Sequence, residues 1–545
     1  EILIGLVGSE MCIRDRSNTT ITDGGKNGHY TEARAYDTQT YADVMLNVNK
    51  TFGDDWSLTA NVGASLNNIK TDELSYRGPI QENGLPNIFN VFDLDDTKKR
   101  AEKVGWHDQT QSVFASVEVG WKQMLYLTAT GRNDWASQIA GSPFKSFFYP
   151  SVGLSWVPSS TWDLGNAFSY LKLRGSIASV GLPFPRFLTT PTYEYDATGK
   201  IWKDKTHYPI GDLKPERTIT YEVGIDARLW KNISLSASWY SADTKNQTFD
   251  PALPPSSSYT TIYLQTGHVR NTGVELSVGY DNQWRDFRWT TNFTYSWNKN
   301  EIRELAANAV NPVTGESLNL TKLDIKGLGK AKYILKEGGT LGDLYTTSNL
   351  RYNENGYVEV DNAGNLQVTD EGEDIYLGSV FPDANLAWRN DFSYKGINLG
   401  VLFTARLGGV CYSATQANLD LYGVSEASAA ARDAGGVLIN GREMVDAQKW
   451  YQAIGSQSGL PQYYLYSATN VRLQELSLGY TFPRKWFRNK LGLTVSFVGR
   501  NLWMIYCKAP FDPEAVASTG LNYQGIDYFM MPSMRNLGFN VQFQF

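Results

Sequence analysis

The chain has 545 residues, 13% of them aromatic, and a formal net charge of −6. Its mean hydropathy is −0.36, and no apolar run approaches the ~20 residues of a membrane-spanning helix, which excludes a helical membrane protein. Mild acidity without basic blocks argues against nucleic acid as a partner. The three Cys, at 12, 411 and 507, have no metal or redox spacing. A β-structure that crosses a bilayer survives this filter, because polar residues on one face of each strand hide the apolar ones from any averaged hydropathy.

Residues 1–16 differ in character from the rest of the chain. Ile2 to Val7 is too short for the apolar part of a signal peptide and lacks a basic start. Glu10 to Arg16 resembles a translated sequencing-adapter read-through, so 1–16 is expected to be a non-native artefact joined to a truncated reading frame. Residues 17–545 are then the protein proper, with 17–40 expected to be the tail of a polar loop.

From there on, alternation at period two recurs. Strands are expected near 41–52, 55–68, 109–121, 124–133, 147–156, 168–180, 216–230, 233–246, 270–281, 286–300, 384–394, 397–407, 470–482, 490–501 and 535–545. In Phe287 to Trp297 the odd positions are Phe287, Trp289, Thr291, Phe293, Tyr295 and Trp297, and the even ones are polar. In Thr218 to Trp230, Ile219, Tyr221, Val223, Ile225, Ala227 and Leu229 oppose Thr220, Glu222, Gly224, Asp226 and Arg228. At the end, Leu537, Phe539, Val541, Phe543 and Phe545 alternate with Gly538, Asn540, Gln542 and Gln544. Side chains alternate faces along a strand, so each segment is apolar on one side only. These runs reach about 10–13 residues, the length a tilted strand needs to cross a bilayer, whereas soluble strands run about 5–6.

The links alternate too. Short ones fall at 53–54, 122–123, 231–232, 283–285 and 395–396, and long ones at 69–108, 181–215, 301–383, 408–469 and 502–534. Outer-membrane barrels have short periplasmic turns and long extracellular loops in this rhythm. The fold class is therefore all-β: a transmembrane antiparallel β-barrel in the bacterial outer membrane, with Phe539, Val541, Phe543 and Phe545 as the membrane-inserting C-terminal strand. About fifteen strands is an odd number, which cannot close a bacterial barrel. The chain is thus expected to be a C-terminal fragment.

Several stretches resemble the SusC/RagA-like family of TonB-dependent outer-membrane transporters of Bacteroidota. They are Gly131-Arg-Asn-Asp-Trp135, Phe148-Tyr-Pro-Ser-Val-Gly-Leu-Ser-Trp156, Leu171-Lys-Leu-Arg-Gly-Ser176, Leu213-Lys-Pro-Glu-Arg-Thr218 and Asn271-Thr-Gly-Val-Glu275. Val471-Arg-Leu473, Gly499-Arg-Asn-Leu502 and Phe511-Asp-Pro-Glu514 come after them. Each is weak alone; their order across about 100–545 carries the likeness. The resemblance implies a plugged barrel of about 22 strands, of which about fifteen are here and the N-terminal plug is absent. It also implies TonB-coupled import of glycans or peptides, partnered by a SusD-like surface lipoprotein over the outer loops and by the TonB complex through the missing plug.

No catalytic motif is present, and the four His, at 29, 107, 207 and 268, are scattered, so an enzyme is not expected. The resemblance implies a calcium-type loop before Gly378-Ser-Val-Phe-Pro382, with Asp361, Asp370, Glu371, Glu373 and Asp374 as candidate oxygen donors. Two of the acids such a loop needs are Asn, and a solvated acidic loop is the competing reading. No other cofactor is expected. Sugar rings stack on aromatic faces, which makes Trp202, Tyr208, Tyr259, Tyr263, Trp450, Tyr451, Tyr463, Tyr464 and Tyr466 the candidate substrate or partner contacts in the loops. Trp56, Trp121, Trp230, Trp239 and Trp297 are expected at strand ends, as interfacial girdles. A passive porin, and less readily a soluble carbohydrate-binding β-protein, are the alternatives.

Overall fold

The computed structural model describes residues 27–83, 88–189, 193–196, 201–204, 207–208, 210–211, 213–249, 261–310, 317–370, 372–518 and 523–545. Fifteen strands form one sheet in which each pairs with its neighbours in sequence, so the order is a simple meander. They are β1 (His29–Phe52), β2 (Trp56–Pro79), β3 (Arg100–Trp121), β4 (Leu125–Ala136), β5 (Phe147–Trp156), β6 (Phe168–Leu182), β7 (Glu216–Leu229) and β8 (Ile233–Phe249). Then come β9 (Leu264–Trp284), β10 (Phe287–Glu304), β11 (Ala384–Tyr394), β12 (Ile397–Leu407), β13 (Asn470–Phe482), β14 (Gly492–Cys507) and β15 (Asn536–Gln544). Every pairing in this sheet is antiparallel, and β1 and β15 are its two edges.

The register carries the apolar face across the whole sheet. Phe543 opposes Leu493, Phe539 opposes Phe497, Leu478 opposes both Phe497 and Leu399, and Phe392 opposes Leu399. On the far side, Leu58 opposes Val119, which opposes Leu127, which opposes Leu154. A one-residue slip anywhere would turn a whole strand's apolar set inward, so each register is strongly specified. Most inner connections are tight; 157–167 and 483–491 are longer. Lys122-Gln123, Trp230-Lys231 and Lys395-Gly396 each place two consecutive residues at positive φ, the geometry that matches a hairpin turn to the twist of its strands. Rings gather at the inner ends of the strands, with Trp56 6.3 Å from Trp121, Trp156 5.5 Å from Trp162 and Trp284 6.0 Å from Phe287.

A bulge keeps this face continuous near the outer end of β13 and β14. Pairing shifts between Leu473 and Glu475, and Asn501 takes φ 52. Against β12, Gln474 is the extra residue of β13, and it turns Leu473 and Glu475 to opposite faces. Glu475 and Arg500 can therefore pair on the polar face at 3.0 Å, while Trp503 returns to the apolar side, opposite Leu473 and 62% exposed.

The outer ends depart from the sequence reading. Residues 29–40 belong to β1 rather than to a polar loop, β2 runs on to Pro79 and β3 begins at Arg100. These extensions carry charge on both parities, as in Asp72-Glu73 and Glu102-Lys103, with Lys103 3.5 Å from Asp72 and Arg77 3.4 Å from Glu102. Water on both faces removes the period-two signal that marks the rest. Trp239 and Trp297 lie inside β8 and β10, opposing Val274 from either side, rather than at strand ends.

The apolar core sits outside the sheet. The described residues of the connections 305–383, 408–469 and 508–535 fold together into a cap around Tyr333, Leu344, Leu350, Val380, Tyr412, Ala417, Leu460, Tyr464 and Ile526. The cap contains a four-stranded sheet (Lys322–Leu328, Ala331–Lys336, Asp343–Thr346 and Ile375–Ser379) and a three-stranded one (Val410–Ser413, Leu465–Ser467 and Ile526–Asp527). It also holds helices α1 (Ala414–Leu421), α2 (Glu426–Asp433) and α3 (Ala447–Ile454), each of eight residues. Ser413, Ser425 and Asp446 cap the three helices through their side-chain oxygens, satisfying backbone N–H groups that have no partner within the helix.

Candidate functional site: the outer cap and its seat on the wall

Val380 is where the three cap connections meet. It is fully buried, donates its N–H to the Gly342 carbonyl at 2.9 Å and accepts from Arg406 of β12 at 2.7 Å. Gly409 (φ 79) and Gly525 (φ 67) lie against it from the other two connections. A Cβ at Gly525 would come 2.5 Å from Val380 Cγ1, so this approach requires glycine. The third connection is also clamped by charge. Arg472 of β13 donates to both Asp512 oxygens, at 2.9 and 3.1 Å, and Ser533 donates to the same carboxylate at 2.6 Å. Both partners of this ion pair are buried. Burial pulls the Asp512 pKa up, but the bonds from Arg472, Ser533 and the Glu514 N–H outweigh it and hold the carboxyl below its usual range.

Other motif residues are joined in the same way. Tyr149 Oη donates to Asp134 at 2.5 Å, and Arg132 Nε donates to the other oxygen of that carboxylate at 2.7 Å. Arg174 bonds Glu222 across β6 and β7. The Thr248 N–H donates to Glu216 at 2.9 Å, and Asn300 Nδ2 donates to Asn271 at 2.9 Å. The motif residues that run in order through the sequence are thus cross-strand clamps on the polar face and at the outer rim. Only the pairing partners were illegible, because they lie tens of residues apart.

The aromatic candidates sort into two groups. Tyr464 is buried in the cap core, while Trp450, Tyr451 and Tyr466 are half-buried; Trp450 and Tyr451 pack against that core, and Tyr466 meets Phe511 edge-on at 5.4 Å. Trp450 also meets Tyr463 edge-on at 5.7 Å, and Tyr463 is 39% exposed. Trp202 stands 69% exposed on the ribbon Ile201–Asp204, and Tyr208 lies beside Thr261–Ile262 in a short parallel pairing. Tyr263 packs at 5.8 Å on His207 and against a smaller cluster of Ile139, Phe184, Leu188 and Leu213. Tyr259 and Glu371 lie outside the described residues. The structure therefore does not gather these aromatics into one site. Exposed apolar residues that sequence reasoning missed stand on the cap instead: Tyr422, Val424, Leu438 and Met444. Leu438 and Met444 face each other across a hairpin whose other side is buried, and only the pairing shows which side faces out.

Three of the acids proposed for calcium, Asp361, Asp370 and Asp374, are already engaged. Asp361 accepts from the N–H groups of Ala363 and Asn365 at 2.9 and 2.8 Å, closing a turn. Asp370 takes Lys330 at 2.6 Å and Ser348 at 2.9 Å. Asp374 lies between Lys322 and Lys336, at 2.7 and 3.0 Å. Glu373 is exposed. The Asn365 N–H holds Asp361 below the usual carboxylate range, and the Lys330 ammonium does so for Asp370. Burial raises Asp374, and the two lysines overcome it. Among the described residues no group of three or more His, Cys, Asp or Glu is placed to hold a metal ion.

A wall of long antiparallel strands, apolar on one face and ion-paired on the other, with every long connection at one end and a folded cap there, defines an outer-membrane β-barrel transporter wall. The sequence profile described as "TonB dependent receptor-like, beta-barrel" matches residues 13–409, and the chain belongs to that family. TonB-dependent receptor P3 of Formosa agariphila is 24% identical over 582 residues, covering 97% of this chain and 54% of the relative. TonB-dependent receptor SusC of Bacteroides thetaiotaomicron is 22% identical over 382 residues, covering 68% of this chain and 35% of SusC. Among solved structures, the RagAB peptide importer in its "open-open" state superposes with a TM-score of 0.71 at 18% identity, over 97% of this chain and 56% of that one. The SusC/RagA likeness read from the motifs holds, and the relatives are receptors and importers rather than enzymes. The chain spans about half the length of the F. agariphila relative.

Proposed function

We propose that this chain forms wall and outer cap of a TonB-dependent importer of oligomeric nutrients, glycans or peptides, working with a SusD-like surface lipoprotein. The observation that carries the reading is the cap: three consecutive connections packed on one core and clamped to the wall through Arg472 and Asp512. A passive pore has no use for a rigid folded platform over one side of its mouth. The exposed apolar set Tyr422, Val424, Leu438 and Met444 gives the lipoprotein a landing surface. TonB would act through a plug inside the barrel, moving it once cargo is captured between lipoprotein and cap. The same family likeness covers SusC and a peptide importer, so glycan and peptide cargo stand together at this level.

The test is deletion of the gene in its host, with growth scored separately on oligosaccharide and on peptide mixtures, and affinity purification of the tagged protein. Growth loss on one nutrient class, dependent on TonB, with a lipoprotein co-purifying, supports the reading. Uptake that persists without TonB, or purification with no lipoprotein, sinks it in favour of a passive barrel.

A further inference from the structure

The cap carries a second concavity that import through the barrel does not use. It is a cleft of about 390 Å³ between the segment 353–367 and the hairpin Val437–Val445, within the ~300–1,000 Å³ range of ligand pockets. Its two walls come from different cap connections and are locked together. Leu366, Ile439 and Val445 are buried in the cap core, and Val358, Val360 and Val437 pack against it. Asn440, at φ 55, accepts from the Val358 N–H at 2.8 Å and donates to the Val358 carbonyl at 3.0 Å. One side-chain amide thus reproduces a pair of strand-ladder bonds. The cleft is built before any ligand arrives, which lowers the ordering cost of binding.

The lining is polar, and much of its hydrogen-bonding capacity is unspent. Asn353 Oδ1 takes the N–H groups of Asn355 and Tyr357, at 3.0 and 3.1 Å, which leaves its NH₂ pointing elsewhere. Arg442 lies 5.1 Å from the centre of the Tyr357 ring and makes no ion pair among the described residues. Glu443 has one long contact, 3.5 Å from Asn440. Gln367 uses its backbone on Arg351 and Glu359, and its side chain makes no hydrogen bond among the described residues. Glu359 is paired with Arg351 at 2.8 Å, and the charges of Arg442 and Glu443 balance, so the cleft carries no net charge. Planar amide, guanidinium and carboxylate groups around a partly exposed tyrosine suit a ligand with many hydroxyls and no charge. A polyanion would meet Glu443, a polycation would meet Arg442, and an apolar ligand would leave these groups unpaired. We propose that this cleft is a saccharide site that holds a short stretch of neutral glycan on the outer face of the cap. The proposal does not depend on the lumen, TonB or the lipoprotein.

The experiment is calorimetric titration of the whole receptor as its gene encodes it, purified in amine-oxide micelles because sugar-headed detergents would compete. The probes are maltotriose, cellotriose and mannotriose, with trigalacturonate and trialanine as charged and peptide comparators. The expected result is saturable binding of at least one neutral trisaccharide, weakened roughly tenfold by Arg442→Ala and severalfold by Gln367→Ala. Thermal midpoints must stay at the parent value; if Arg442→Ala fails this, Gln367→Ala decides. Absence of binding by all three neutral probes, binding by a comparator alone, or affinity unmoved by the substitutions overturns the site. Cell growth on glycans or peptides is scored in the deletion strain, so the import reading can stand or fall separately.

Discussion

The wall and the cap solve the same physical problem in opposite solvents. In the wall, large apolar side chains face outward on strands paired on both sides: Leu154 is 50% exposed, Val223 54% and Leu478 53%. Lipid covers such a face, and the ladder satisfies the backbone, so the wall needs no buried core of its own. In the cap, Leu344 and Tyr412 are fully buried, and the connections fold as a soluble domain does. The difference teaches that the long connections are a second folded body seated on the first. The seat is polar and made of few residues, chiefly Arg472 with Asp512 and Arg406 with the Val380 carbonyl.

The comparison breaks most visibly at the seat. Arg472→Ala leaves Asp512 buried without its partner and is expected to cost about 3–5 kcal/mol. Limited proteolysis should then cut within 508–535 while strand content by circular dichroism holds. Within the cap, Leu344→Ala removes a fully buried side chain and should cost ~2–5 kcal/mol. Hydrogen exchange should rise across the cap sheets and not in β1–β9. Within the wall, Leu476→Lys places a charge on the lipid face, at roughly 2–4 kcal/mol. Ser477→Lys, one residue on, faces the polar side and should refold into vesicles like the parent. Equal refolding yields for the two would contradict this facing of β13.

A smaller effect concerns pH. The folded Asp512 carboxyl titrates below its unfolded value, so its contribution is complete above the unfolded pKa, about 3.9, and is lost as pH falls through the folded value. Protease access to 508–535 should therefore stay flat from neutral pH to about 5 and rise only below about 4. Asp512→Asn should remove that acid step and leave the loop accessible throughout. The smallest effect is expected at Asp361, whose carboxylate closes an exposed turn. Asp361→Ala should cost ~1 kcal/mol by analogy with a lost cap, seen as a slight fall in the cap's thermal midpoint.

Most of the wall was legible and most of the cap was not. The inner ends of the fifteen strands fall within a few residues of where alternation places them, because one lipid face and one polar face impose a strict period of two. The outer ends of β1, β2 and β3 escaped because water lies on both sides of them. The cap escaped because its core joins residues far apart in sequence: Tyr333 donates its hydroxyl to the Gln524 carbonyl, and Ser413 bonds Asp527 at 2.6 Å. Its helices, of eight residues each, are too short for a periodic signal. The loop aromatics were found as a set, but composition cannot tell Tyr464, which fills the core, from Trp202, which faces water.

Convergence of three connections on Val380 limits how such a surface can diverge. Replacing one connection with a foreign sequence leaves Val380 facing a neighbour not shaped for it, so the cap is exchangeable only as a set of three. Drift is easy at the tips, where a side chain added at Gly356 or Gly441 would meet nothing within 4 Å, though positive φ at both still favours glycine or asparagine. A lineage can thus vary what the outside world touches while the seam, and the strand register beneath it, stays the same.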